Sequence, residues 1–173
     1  MKRIILMSSL MAFSCCNFAA DSYSIYLVRH AEKLTDSKNP SLTACGKERA
    51  EQLASLLSKA GISAIYSTSY QRTMQTAVPL AKQQKMAIKN YNPRHLEQFA
   101  LQLKQKQENS LVVGHSNTTP RLTELLSKQE VTPLTEQDFQ YLYQVQFTNK
   151  TTTLTILQQP LNCEISQTDK EST

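Results

Sequence analysis

The chain has 173 residues, 40% of them hydrophobic and 19% charged, with a formal net charge of +5. That length holds one domain with a real core and leaves no room for two comfortable ones. The basic residues are scattered without aromatic interleaving, which argues against a nucleic-acid partner.

Residues 1–20 read as a secretory signal: Lys2 and Arg3, an apolar run from Ile4 to Phe13, and small residues ending at Ala19 and Ala20. The run is far shorter than the roughly 20 apolar residues of a membrane span, so no stable span is expected. Cleavage after Ala20 removes Lys2 and Arg3 and lowers the net charge from +5 to +3. Phe18 stands where a small residue is preferred, and Cys15 and Cys16 offer a second reading, a lipid anchor on an acylated cysteine. The stretch "MAFSCC" lacks the usual Leu three residues before that cysteine. Either reading exports the chain, to the periplasm or beyond. Cys45 and Cys163 then sit where disulfides persist, and the sequence leaves their pairing open. No CxxC or Cys/His cluster points to a metal, and no cofactor is expected.

The first strand is Ser24–Val28, and it ends in Arg29-His30. The turn-rich "DSKNPSLT" leads to a helix with Thr43 as N-cap and Leu53, Leu56 and Leu57 on one face, ending at Gly61 as a left-handed C′ residue. Ala64–Ser67 is a second strand. A helix over 70–84 follows, with a kink or break expected at Pro79. Met86–Ile88 is a weak third strand, and residues 95–107 form an amphipathic helix. Ser110–Gly114 reads as a buried strand. Residues 118–128 are helical, with Pro120 tolerated in the first turn. A short helix is expected near 135–141. Two alternating runs, 142–148 and 152–158, close the domain as a hairpin. The domain spans 21–159, and the tail 160–173 is polar and loose. Alternating strands and helices imply an α/β fold, a three-layer α/β/α sandwich with a mostly parallel central sheet.

In such sheets ligands bind beyond the carboxyl ends of the strands. Three segments bring chemistry to that edge. The first strand delivers Arg29 and His30, the second leads to Arg72, and the fourth delivers His115, after which Ser116, Asn117 and Thr118 open a helix. Two guanidinium groups and two imidazoles beside a helix N-terminus suit an oxyanion, and phosphate is the economical choice. A neutral imidazole held by its other ring nitrogen is a credible nucleophile toward phosphorus. His95 reads as a surface residue.

The stretches "LVRHAEK", "STSYQRTMQTA" and "VVGHSNT", with "LTACGKERA" between the first two, resemble the histidine phosphatase (phosphoglycerate mutase-like) superfamily, in a small exported branch. Gly46, Gly61 and Gly114 fall at motif or cap positions. The resemblance implies that His30 is the nucleophile that becomes phosphohistidine and that Arg29 and Arg72 bind the phosphoryl oxygens. It also implies that a protonated His115 holds the same group, with Asn117 adding a contact. Ala31 replaces the usual glycine of the first motif, a mild change. The general acid is a larger departure. The region where many members carry a glutamate reads "KNYNPRHLEQF", which leaves Glu97 and Glu32 as candidates. If neither reaches the leaving oxygen, good leaving groups such as aryl phosphates or phosphohistidine are favoured.

Two function classes follow. One is an exported, metal-independent phosphoric monoester hydrolase acting on a phosphorylated small molecule or a phosphorylated polymer. The other is a non-catalytic phosphate-binding protein that lacks an effective acid. A mutase fits less well, because the chain has little room for the insertions that shape a bisphosphoglycerate pocket. Short connections over the strand ends suggest an open pocket.

Overall fold

The computed structural model describes residues 22–161. The expected signal segment, Cys15, Cys16 and most of the C-terminal tail lie outside that range. Six strands and four helices alternate: β1 (Tyr23–Arg29), α1 (Ala44–Leu57), β2 (Ala64–Ser67), α2 (Gln71–Gln84), β3 (Ile88–Asn90), α3 (Leu96–Lys106), β4 (Ser110–Gly114), α4 (Thr118–Ser127), β5 (Tyr141–Phe147) and β6 (Thr152–Gln158). They build one sheet in the order β3-β2-β4-β1-β5-β6. The first four of these strands are parallel, and β5 and β6 are added antiparallel, so the sheet is mostly parallel.

The period-2 alternation of the central strands sorts their side chains to two faces. Ile25, Leu27, Ala64, Tyr66 and Val112 meet Phe99, Leu103, Leu122 and Leu126 of α3 and α4. Val28, Ile65, Leu111 and Val113 meet Leu53, Leu57, Ala77 and Leu80 of α1 and α2. Each fully buried aliphatic side chain contributes roughly 1.5–3 kcal/mol of transfer free energy, so these two layers carry most of the stability.

The structure corrects several local expectations. Pro79 does not interrupt α2, which runs unbroken from Gln71 to Gln84. Buried Thr76 and Ala77 before it, and Leu80 and Ala81 after it, hold both halves on the sheet despite one missing hydrogen bond. Leu56 is 50% exposed, because the buried face of α1 is Ala50, Leu53, Ala54 and Leu57. The same helix stops at Leu57; Gly61 does adopt φ +64, but within the turn that follows. No helix forms at 135–141, where a turn over Glu136 and Gln137 leads directly into β5. Beyond β6 the chain is not loose at once: the Leu161 N–H donates to Gln52 and its carbonyl accepts from Arg49, both on α1.

Thr43 caps α1 as expected, its hydroxyl accepting from the Gly46 N–H at 3.0 Å. That helix start packs against the backbone of Glu32, two residues beyond His30. A Cβ on Gly46 would collide with the Glu32 carbonyl, so only glycine permits the approach.

Candidate active site

Arg29, His30, Arg72, His115 and Asn117 all line one open cavity of about 410 Å³ at the carboxyl ends of β1, β2 and β4. The sheet register explains the meeting. Arg29 is paired with Gly114 across the β1–β4 ladder, and the His30 N–H donates to the Gly114 carbonyl at 2.9 Å. The two histidine rings lie 5.7 Å apart in an edge arrangement.

His30 is 3% exposed. Its Nδ1 lies 2.8 Å from the Ala31 carbonyl, an acceptor only, so Nδ1 carries the proton and Nε2 keeps its lone pair. Among the described residues no group bonds Nε2. Burial, reinforced by the nearby Arg29 and Arg72, lowers the imidazole from 6.5 to about 3. His30 is therefore neutral at any ordinary pH. Ala31 is pinned in turn, because its N–H donates to Thr76 Oγ1 on α2.

His115 was expected to be protonated, and its surroundings oppose that. Burial together with Arg72 and Arg29 lowers its pKa to about 4. An Arg72 terminal nitrogen lies 3.4 Å from Nδ1, and Thr68 Oγ1 lies 3.0 Å from Nε2. Arginine only donates, so Nδ1 accepts and Nε2–H donates to Thr68. From there Thr68 passes a hydrogen bond to Thr73, 2.8 Å away, whose hydroxyl ends on the Tyr70 and Thr68 carbonyls. This chain of hydroxyls fixes the ring. Gly114 just before it has no room for a side chain, since an added Cβ would press on the hydroxyls of Thr118 and Thr119.

Each guanidinium is oriented by a ring and left with an open donor. Arg29 stacks on Phe139, and Arg72 on Tyr70, at 4.2 and 4.4 Å from the ring centroids. Arg29 donates to the Thr135 carbonyl at 2.7 Å and to a Glu136 carboxylate oxygen at 3.0 Å. Yet the Nε of both arginines is buried without an acceptor. An unsatisfied buried donor costs about 1–3 kcal/mol, more when charged. Asn117 precedes α4 with no side-chain cap bond, so its amide is free to meet a ligand.

Neither sequence candidate for the acid lines the cavity. Glu32 is gripped through both oxygens by Arg49, the closest contact 2.6 Å. Glu97 lies on the surface of α3, paired with Arg121 at 3.4 Å. His95 is exposed and outside the cavity. Among the described residues, Glu136 is the one carboxylate in the lining, and it was missed. Lys33, Tyr70 and Arg94 also line the cavity and were not singled out. Tyr70 was findable, since an aromatic two residues before the arginine is a ready stacking partner.

The sequence profile of the histidine phosphatase superfamily (branch 1) matches residues 25–97. That stretch contains Arg29, His30 and Arg72, while His115 lies beyond it. No curated protein matches the sequence. Among solved structures, the protein histidine phosphatase SixA complexed with tungstate is similar at TM-score 0.65 and 16% identity, covering 78% of this chain and 96% of that one. A mycobacterial glucosyl-3-phosphoglycerate phosphatase gives TM-score 0.62 at 11% identity, over 79% and 98% of the two chains. A protein from Escherichia coli described as an alpha-ribazole-5'-P phosphatase gives 0.61 at 16%, over 82% and 99%. At these identities the likeness establishes the fold.

Proposed function

We propose that this chain is an exported member of the histidine phosphatase superfamily that hydrolyses a phosphomonoester or phosphoramidate through a phosphohistidine on His30. The observation that carries this reading is the His30 ring: one nitrogen tied to the Ala31 carbonyl, the other without a partner among the described residues, in a cavity lined by Arg29 and Arg72. In the first step Nε2 attacks phosphorus in line as the P–O bond to the leaving group breaks. Arg29 and Arg72 hold the equatorial oxygens, so positioning and charge stabilisation supply most of the rate. His115 donates to the same group once the phosphoryl dianion draws a proton onto it. Displaced from Arg29 by the incoming phosphoryl group, Glu136 takes up a proton from solvent, gives it to the leaving oxygen as the P–O bond breaks, and takes one back from the water that cleaves the phosphohistidine. The arginines supply the positive charge that a metal provides elsewhere, so the reaction is metal-independent.

Export is supported by chemistry at Cys45, which is disulfide-bonded, a state that persists in oxidising compartments. The other cysteines, Cys15, Cys16 and Cys163, lie outside the described residues. The test uses p-nitrophenyl phosphate and a radiolabelled phosphoryl donor in excess chelator. Wild-type protein turns over and takes up acid-labile label. His30→Ala loses the label and on the order of 10⁴–10⁶-fold in kcat. Label that persists in the variant moves the nucleophile elsewhere, and a wild type that binds phosphate without turnover makes the protein a phosphate binder.

A further inference from the structure

The cavity carries more positive charge than one phosphoryl group requires. Lys33 and Arg94 line it beside Arg29 and Arg72, against a single carboxylate, Glu136, which Arg29 already holds. A phosphoryl dianion is balanced by the two inner arginines. Glu32 and Glu97, the acids next to these two rim residues in sequence, are engaged elsewhere, by Arg49 and Arg121. Among the described residues, neither Lys33 nor Arg94 has an ion-pair partner.

Both are mounted on fixed backbone. Lys33 forms a β-bridge with Leu42, and the loop between them is fastened to α2 by Leu42 N–H on Gln75 and by Gln71 N–H on Asn39. Arg94 sits in a tight turn in which its own N–H donates to the Asn92 side chain and the His95 N–H to the Asn92 carbonyl. Depth orders the site. His30 is buried, Lys33 half-buried and Arg94 exposed. In-line attack by His30 places the leaving group opposite its Nε2, toward the exposed residues of the mouth.

We propose that Lys33 and Arg94 form a second anion subsite, and that the preferred substrates are small phosphomonoesters whose leaving group carries another phosphate or a carboxylate. A cavity of about 410 Å³ suits a ligand of that size. The inference rests on the phosphatase reading and is tested by ligands that need no turnover. Calorimetric titration compares propylphosphonate with propane-1,3-diphosphonate. The wild type binds the diphosphonate about tenfold more tightly, an advantage that shrinks as salt is raised. In the Lys33→Gln/Arg94→Gln double variant the advantage falls to about twofold or less, because one half-buried and one exposed charge contact together account for most of the roughly tenfold difference. Equal affinities in the wild type overturn the subsite, as does an advantage that survives in the variant. Equal losses for both ligands also overturn it, since the two cations would then act only as a general field. Phosphonate binding without p-nitrophenyl phosphate turnover sinks the catalytic reading and leaves the subsite standing; no phosphonate binding at all sinks both.

Discussion

At His30 and His115, two imidazoles are held neutral by burial and by the guanidinium groups around them, at about 3 and about 4. Both lie below the ordinary value near 6.5, so the unfolded chain takes up protons that the folded chain refuses. Stability from these groups is complete above pH 6.5 and is lost as pH falls through the window from 6.5 to about 3. Denaturant melts between pH 7.5 and 5, where carboxylates titrate least, are expected to show a midpoint that declines steadily below 6.5. A flat or rising profile contradicts neutral burial. The same residues mark how far a sequence can be read. Arg29, His30 and His115 stood out because polar groups closed apolar strands. Thr68, Thr73 and Phe139 did not, because a hydroxyl relay and a stacked ring depend on which segments meet in space.

The helices and strands were legible wherever hydrophobic periodicity was strong, which covers all four helices and every strand but β3, expected weakly at Met86–Ile88 and found at Ile88–Asn90. The turn after α4 was not. "PLTEQDF" carries helix-prone residues, yet Arg29 captures the Thr135 carbonyl, while the Thr135 N–H and hydroxyl both bind the Asp138 carboxylate. Long-range capture by a buried guanidinium overrode local propensity. The turn delivers Glu136, 79% exposed at the cavity and 3.5 Å from the Ser116 hydroxyl. Its carboxylate accepts from an Arg29 terminal nitrogen at 3.0 Å. Glu136→Gln is expected to lower kcat/KM for alkyl phosphates by about 10²–10⁴-fold and to affect p-nitrophenyl phosphate far less. If the variant instead speeds both substrates alike, Glu136 is only a competing anion.

Over the molecule as a whole, one face of the sheet is closed by α1 and α2 and the other by α3 and α4. The Leu161 contacts fasten chain onto α1, which also carries disulfide-bonded Cys45 and whose N-terminus braces the segment after His30. Reduction is expected to cost about 2–4 kcal/mol, read as a lower thermal midpoint in reductant. Cys45→Ser protein should melt at the reduced value with or without reductant. An unchanged midpoint on reduction would leave the disulfide without a stabilising part.

Arg29 rests mainly on main-chain oxygens, those of Thr135 and Asp138, and every amino acid supplies such an oxygen. Drift at those two positions therefore does not by itself unseat the arginine. The neighbouring carboxylate can be exchanged, lengthened or dropped while the anion cradle stays in place. On the proposed reading, a lineage built on this scaffold is thus free to retune which leaving groups it accepts without rebuilding its grip on phosphorus.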